Sequence, residues 1–337
     1  MVDQELSLFQ DTPPFVREDE YDSPMPDCES LWQAQNDALW SATFNEVHAF
    51  SDGYSSVGSG VRPLSLRDVF FDHFIKDELI MQDGQEIRLT PMQLRLLLHP
   101  LQSRLCGGSS IHNETASTMS RLQELQALLG RWFNLAQRYM ERNPTCPMMQ
   151  ATLVMYNLIR MNSVTDFRGI ERLARGEGID GSYQQMLAER QKCMQNPQEA
   201  VVYAGQVLRL VREMSRGTRP PWWAGAVYRA TLVMWAESLT HRLPSPSCPV
   251  QIQRSGLMVS VDRLLPNHAL IDGYISCGRG VPTMTKRDGT PIMLDNGSVV
   301  LSHCIEVIDE GVATRLSDGI RNKLEKLARA QQFPCLF

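Results

Sequence analysis

The stretch TRPPWWAGAVYRATLVMWAESL, residues 218–239, carries apolar side chains on more than one face when it is wound as an α-helix. A helix that is apolar nearly all round is found where other helices cover it on several sides. Trp222 and Trp223 point about 100° apart on such a helix, so both are buried only if two sides are covered. The stretch therefore predicts a central helix in a large helical bundle.

Amphipathic helices are predicted on either side of this element. Residues 116–142 give the clearest pattern, because their apolar side chains recur every three or four positions in one stripe. Another helix opens with the capping box Asn196-Pro197-Gln198-Glu199, in which Asn196 accepts from first-turn amides and Glu199 reaches back. Two closing helices carry the stripes Leu301, Ile305, Ile308, Val312 and Ile320, Leu324, Leu327. These patterns predict an all-α fold, a large single domain resembling a bundle.

Strand signals are sparse. At most one short β-hairpin is predicted, near residues 281–294, where Asp288-Gly289 is a favoured two-residue turn. Alternating strand and helix patterns are absent, so a parallel α/β fold is not expected. A proline-serine break at residues 243–250 is a candidate subdivision of the domain.

Residues 1–28 are predicted to be a disordered acidic tail or linker. The first thirty residues hold nine acidic side chains against Arg17 alone, so they sum to −8 while the rest of the chain sums to +3. Four prolines and few apolar groups leave too little burial to offset the entropy of ordering. The acidic and hydrophobic mixture fits either a solvated linker or an activation segment.

No motif predicts catalysis, metal binding or a bound cofactor. The two closest cysteines, Cys277 and Cys304, lie 27 positions apart, so no paired-cysteine zinc spacing exists. The string GEGIDG from Gly176 has the glycine spacing of a dinucleotide turn but follows a helical segment, so we interpret it as a helix-ending loop. No apolar run approaches the roughly 20 residues of a membrane span, and no secretory signal is visible. We therefore expect a soluble intracellular protein with no membrane partner.

Two blocks resemble the regulatory domain of fungal transcription factors that carry two-cysteine, two-histidine zinc fingers. In the first, residues 218–239, an Arg-Pro-Pro-Trp-Trp entry feeds a long buried helix. The second is VPTMTKRDGTPIMLDNGSVVLSHCIEVIDEGVATRLSDGIRNKLEKLAR, residues 281–329. There a Lys-Arg-Asp-Gly turn precedes two closing helices and an Asp-Gly-Ile-Arg element. With the helical body, the resemblance spans most of residues 30–330.

The resemblance implies that residues 29–337 are a helical regulatory domain related to the middle homology region of fungal regulators. Such domains lie C-terminal to the fingers and modulate transcription by RNA polymerase II, which implies a nuclear protein, with shuttling from the cytoplasm as an alternative. The chain contains no finger, so zinc and DNA are expected to be bound only by fingers absent from it. The implied partners are transcription machinery or co-regulators, a second copy in a homodimer, and a small-molecule effector.

The first block supplies the candidate site. We take five residues as candidates for the core, a ligand pocket or an interaction surface: Arg219, Trp222, Trp223, Tyr228 and Trp235. No catalytic, metal-binding or DNA-binding residue is predicted in this chain, which is interpreted as a non-enzyme. Two alternatives stay open, a small-molecule-sensing helical domain and a helical enzyme of unknown chemistry.

Overall fold

The computed structural model describes residues 2–17, 20–27, 29–48, 64–77, 89–107, 116–178, 182–241 and 256–332. Most of these residues are helical and they include one small sheet, so the predicted all-α class is confirmed. Contacts between Cα atoms divide the chain into two units, Met1–Ser7 with Pro13–Tyr139 and Leu8–Thr12 with Met140–Phe337. The candidate subdivision at residues 243–250 lies outside the described residues, and a domain boundary after residue 28 stays a prediction.

The first unit packs around the apolar stripe predicted for residues 116–142. Its elements are the start of α1 (Val2–Gln10), α2 (Glu29–Trp32), α3 (Asp37–His48), a π-helix (Asp68–Phe74), α4 (Pro91–Gly107) and α5 (Ala116–Arg142). On α5, Leu129 and Trp132 are fully buried, and the Trp132 indole N–H donates to the Leu94 carbonyl at 2.8 Å. Arg131 donates to the Phe74 carbonyl at 2.6 Å, which caps the end of the π-helix. Helix α5 therefore contributes buried side chains to the core of the first unit and also caps the π-helix.

The acidic segment departs from the predicted disorder. Residues 2–10 form α1, and Leu8, Tyr21 and Met25 are buried. Within the first unit the Met25 N–H donates to the Leu64 carbonyl at 2.9 Å, and the Arg67 N–H donates to the Tyr21 carbonyl at 3.0 Å. Backbone bonds to a distant part of the sequence therefore hold this segment in place.

Two carboxylates of this segment also contact buried side chains. Glu5 forms an ion pair with the buried Arg95, and Asp3 Oδ2 lies 3.2 Å from His99 Nε2. His99 Nδ1 in turn lies 3.0 Å from the Tyr21 hydroxyl. The prediction of disorder was wrong because these partners lie 78 to 96 positions away along the chain, where composition does not reveal them.

The second unit surrounds one buried helix, as residues 218–239 predicted. Its elements are α6 (Pro147–Asn162), α7 (Phe167–Arg175), α8 (Tyr183–Cys193), α9 (Pro197–Glu213), α10 (Trp223–Ser238), β1 (Met258–Ser260), α11 (Ala269–Cys277), β2 (Val281–Thr285), β3 (Pro291–Met293), α12 (Gly297–Asp309) and α13 (Arg315–Gln332). Helix α10 packs against α7, α9, α12 and α13. All of its residues except Gly225 and Tyr228 are buried, so it is covered on every side.

The small sheet contains the predicted hairpin and one strand more. β2 and β3 pair in antiparallel, and Gly289 in the turn has a φ of +88°, which favours glycine. β1 pairs in parallel with β2, with Met258 opposite Val281. The prediction of at most one hairpin therefore did not include β1, because a strand of three residues is too short to show a period-two pattern.

The predicted helix ends are observed with one change. Asn196 Oδ1 accepts from the Glu199 N–H at 3.2 Å, which confirms the cap of α9. The Glu199 carboxylate accepts from the Asn196 side-chain amide at 2.9 Å, where a return bond to the Asn196 backbone was expected. Gly176 ends α7 with a φ of +69°, so the GEGIDG string begins as a helix-ending loop.

Candidate functional site

The candidate residues from the first block lie in or beside the core of the second unit. Trp222, Trp223 and Trp235 are buried, and Trp235 is only 1% exposed. The Trp222 ring centroid lies 5.8 Å from that of Phe9. Burial of neighbouring tryptophans agrees with a helix covered on more than one side. A role for these residues in a ligand pocket or an interaction surface stays a prediction.

Arg219 and Trp223 form a stacked pair beside a glycine. The Arg219 guanidinium carbon lies 4.9 Å from the centre of the Trp223 ring, within the range of a cation–π contact. Burial lowers the pKa of Arg219, while the Glu310 carboxylate opposes that change. A Cβ atom at Gly311 would lie 2.3 Å from Trp223 Cζ2, so only glycine fits at this position.

Arg229, on α10, forms a buried ion pair that the sequence did not single out. Its side chain is 3% exposed, and its two terminal nitrogens donate to the two carboxylate oxygens of Asp11 at 2.7 and 2.9 Å. The Asn162 amide oxygen lies 3.3 Å from the same guanidinium. The ring centres of Phe167 and Phe9 lie 4.1 and 5.7 Å from its central carbon. This pair and its two rings hold residues 8–12 against the helical bundle.

Tyr228 lies next to this pair and is partly buried. Its ring centroid lies 6.3 Å from that of Phe167, and Lys323 Nζ lies 5.5 Å from the Tyr228 ring. Burial raises the pKa of Tyr228, and the nearby Glu171 carboxylate raises it further. The hydroxyl is therefore neutral at physiological pH and acts as a hydrogen-bonding group.

A cleft of about 440 Å³ opens on the surface of the second unit. It is lined by Arg209, Arg212, Glu213, Asp262, Arg263, Arg287 and Glu310. None of the five candidates from the first block lines it. The lining residues come from segments up to a hundred positions apart, so sequence spacing gave no sign of this arginine cleft.

The buried carboxylate of Asp262 organises one wall of the arginine cleft. It accepts from the Thr285 N–H at 2.9 Å and from the Thr285 hydroxyl at 3.1 Å, and Arg212 Nη1 lies 3.1 Å from it. Burial raises the pKa of Asp262, while these donors oppose the change. Arg212 also donates to the Thr285 carbonyl at 2.9 Å, which fixes the guanidinium in the wall.

The arginine cleft carries an excess of positive charge. Arg209 donates to both oxygens of Glu213 at 2.8 Å, and Arg287 pairs with Glu310 at 2.9 Å. Each carboxylate of the lining thus has its own guanidinium. Among the described residues no carboxylate pairs with Arg263, which leaves one guanidinium available to an anionic ligand.

Within the part of the chain that the structure describes, no group of three or more His, Cys, Asp or Glu side chains could hold a metal ion. No helix in the same residues is long and apolar enough to cross a bilayer.

Comparison with curated proteins finds several relatives that carry the name transcription factor. The chain is 48% identical to one from Zymoseptoria tritici, over 98% of this chain and 36% of that protein. It is 42% identical to Transcription factor 1 of Elsinoe fawcettii, over 98% of this chain and 35% of that protein. Transcription factor PfmaH of Pestalotiopsis fici is 35% identical, over 96% of this chain and 34% of that protein.

These matches run along nearly the whole chain, yet the chain spans only about a third of the length of these relatives. No protein-family model matches the chain, and no solved structure matches it. The chain is therefore homologous to one region of longer fungal proteins that are named transcription factors.

Proposed function

We propose that this chain is the regulatory or effector region of a fungal sequence-specific zinc-finger transcription factor that controls transcription by RNA polymerase II in the nucleus. The observation that carries the proposal is the similarity, along 96% or more of the chain, to three proteins named transcription factors. The two blocks that resemble the regulatory domain of zinc-finger factors support the finer assignment. Both blocks lie in the second unit, around its buried helix α10.

The distribution of charged side chains supports a role in which this chain does not itself bind DNA. A DNA-binding surface needs several clustered cations that release counterions from the phosphate backbone. The best basic face in the sequence lies on α13, but there Arg321 pairs with Asp309 and Glu325, and Arg329 pairs with Glu325. DNA recognition is therefore assigned to parts of the longer protein outside this chain.

A reporter assay tests the proposal. The chain, fused to a foreign DNA-binding domain, should change transcription from a reporter that carries the matching site, relative to the DNA-binding domain alone. In fluorescence anisotropy near 150 mM salt, the isolated chain should bind duplex DNA no tighter than the roughly 10⁻⁴ to 10⁻⁶ M of non-specific association. A fusion without effect on the reporter, or sequence-selective nanomolar DNA binding, would contradict the proposal.

We also propose that the arginine cleft is the place where a small anionic effector acts on this region. Its volume of about 440 Å³ is within the range of small-molecule sites, and Arg263 offers a guanidinium with no carboxylate partner among the described residues. Guanidinium groups bind carboxylates and phosphates in a two-pronged geometry. A small molecule with one or two carboxylate or phosphate groups is the ligand class that this lining favours.

Thermal melting with citrate and with inorganic phosphate tests the effector site. A ligand that binds only the folded state increases the free energy of unfolding, by about 2.7 kcal/mol at a hundredfold excess over its Kd, and so raises the melting temperature. The increase should disappear in Arg263→Ala and persist in Arg279→Ala, an exposed arginine outside the cleft lining. Equal responses in both variants would show that the anions act through general charge screening.

A further inference from the structure

A second cavity, of about 170 Å³, opens beside α12 in the second unit. Its lining comes from α12 and from the turn between β2 and β3, and consists of Lys286, Ser298, Val299, Ser302, His303 and Glu306. The α12 members recur at spacings of three and four residues, so they share one face of that helix. The cavity has no lining residue in common with the arginine cleft. We call it the His303 cavity.

His303 is a buried polar side chain whose hydrogen-bonding capacity is unused. It is only 4% exposed, and neither ring nitrogen has a hydrogen-bond partner among the described residues. Its Nδ1 lies 3.7 Å from the Glu306 carboxylate, which is longer than a hydrogen bond. The nearby Asp262 carboxylate bonds to Thr285 and Arg212 instead. Buried polar groups are nearly always hydrogen-bonded, so a ligand in the cavity is the natural partner for this imidazole.

The same cavity carries one charge of each sign. Lys286 and Glu306 are both exposed, and among the described residues no carboxylate forms an ion pair with Lys286. The turn that carries Lys286 is held in place, because its N–H donates to the Thr290 carbonyl at 2.9 Å and Arg287 pairs with Glu310 at 2.9 Å. Glu306 repels a simple anion and Lys286 repels a simple cation. A ligand that matches both charges therefore carries an anionic and a cationic group.

The size and the other polar groups narrow the ligand class further. Sites for drug-sized ligands measure roughly 300–1,000 Å³, so a cavity of about 170 Å³ admits a smaller molecule. Burial lowers the pKa of His303, so the neutral ring offers one donor and one acceptor. Ser298 and Ser302 add hydroxyl groups to the lining. These groups favour a ligand that also has a short hydrogen-bonding side chain.

We propose that the His303 cavity binds a free α-amino acid with a short polar side chain. Lys286 pairs with its carboxylate, Glu306 pairs with its ammonium group, and the His303 imidazole bonds to its polar side chain. A neutral polyol is a poorer occupant, because it leaves both charged groups of the cavity without a partner. The proposal rests on the proposed function only for its biological setting, since its chemistry comes from the lining residues.

Isothermal titration calorimetry of the full chain tests the proposal. The probes are L-serine, L-threonine and L-asparagine, together with N-acetyl-L-serine, which lacks the ammonium group, and L-serinamide, which lacks the carboxylate. At least one of the three amino acids should bind with a Kd of about 0.01–1 mM, as for a ligand with few heavy atoms. If that amino acid is L-serine, the two analogues should bind at least about tenfold more weakly, because each loses a charged hydrogen bond.

Variants assign the binding to the cavity. Lys286→Ala and Glu306→Gln should each weaken the amino acid by about tenfold, and Glu306→Gln should remove the preference for L-serine over N-acetyl-L-serine. Lys192→Ala is the matched control, because Lys192 is an exposed lysine on α8. Arg263→Ala, in the arginine cleft, should also bind the amino acid normally.

His303→Leu separates a binding role from a structural role. The imidazole nitrogens make no hydrogen bond among the described residues, so the variant should melt within a few degrees of the wild type at pH 7.5 while it loses amino-acid binding. Normal binding by this variant would overturn the role of the imidazole.

The site and the regulatory role fail in different ways. Absence of binding by all three amino acids, or equal binding of L-serine and both analogues, overturns the amino-acid site, whatever the reporter fusion shows. Equal weakening by Lys286→Ala and Lys192→Ala also overturns it. Binding that depends on Lys286 and Glu306, together with an inert reporter fusion, supports the site and contradicts the regulatory role.

Discussion

Helices α10 and α3 both carry tryptophans, but the tryptophans of α10 are buried and that of α3 is about half exposed. On α10, Trp223 and Trp235 are buried by neighbouring helices, and the small residues between them let those neighbours approach closely. On α3 (Asp37–His48), the Trp40 side chain is about half exposed, and its ring stacks on that of Phe44. The same side chain therefore lies in the core on one helix and near the surface on the other. The two helices differ in how far the apolar surface extends around the helix, which is nearly all round on α10.

The largest expected loss of stability comes from a substitution on α10. Trp235→Ala removes a fully buried ring and leaves a cavity, which costs about 3–5 kcal/mol at a well-packed site. We expect a chain that is largely unfolded or melts many degrees lower, measured by circular dichroism against temperature. Unchanged melting would show that α10 is not the helix on which the second unit depends.

A smaller loss is expected when the N-terminal contact to α10 is broken. Asp11→Ala leaves the buried Arg229 guanidinium without its carboxylate, and we expect a loss of about 2–4 kcal/mol in the free energy of unfolding. Glu189→Ala is the control, because it breaks an exposed pair with Lys192 that is worth at most about 1 kcal/mol. Urea unfolding of both variants measures the difference, and equal losses would show that the Asp11 contact is ordinary surface pairing.

The pH dependence of the core adds a third, smaller effect. Burial lowers the pKa of His303 on α12, while Asp262 and Glu306 oppose that change and Arg212 adds to it. The unfolded state therefore binds a proton more readily, so stability is present above about pH 6.5 and is lost as pH falls below it. The loss is at most about 1.4 kcal/mol per pH unit. If His303 causes this loss, the melting temperatures of the wild type and of His303→Gln should converge as the pH is lowered from 7 to 5.

The smallest expected effect is on the α3 side of the comparison. Trp40→Ala removes a half-exposed ring with acidic neighbours, and exposed substitutions change stability by about 0.5 kcal/mol or less. The melting temperature should therefore stay within about one or two degrees of the wild-type value. A loss approaching that of Trp235→Ala would mean that α3 is part of the core of the first unit.

The parts of the fold that could be predicted are those in which neighbours along the chain decide the outcome. The apolar run of residues 218–239, the stripe of residues 116–142 and the Asp288-Gly289 turn each contain their own signal, and all three features are found in the structure. The cap at Asn196 belongs to the same class, because donor and acceptor are three positions apart.

The parts that could not be predicted depend on contacts between distant residues. Asp3, Glu5 and Asp11 resemble solvated acids in sequence, and only the folded chain shows them beside His99, Arg95 and Arg229. The arginine cleft is assembled from residues 209 to 310 in the same way. Arg229 did leave one signal, since it is the charged residue in the middle of an otherwise apolar helix and so requires a buried partner.

The contact of Gly311 with Trp223 has a consequence for the sequences of related proteins. A Cβ atom at position 311 would overlap the indole ring at 2.3 Å, so the two positions cannot vary independently. A relative that places alanine or serine at 311 must carry a smaller side chain at 223 or a displaced turn between α12 and α13. The pair should therefore change together among related sequences, and alignments that separate the two substitutions would mark proteins in which this turn has a different course.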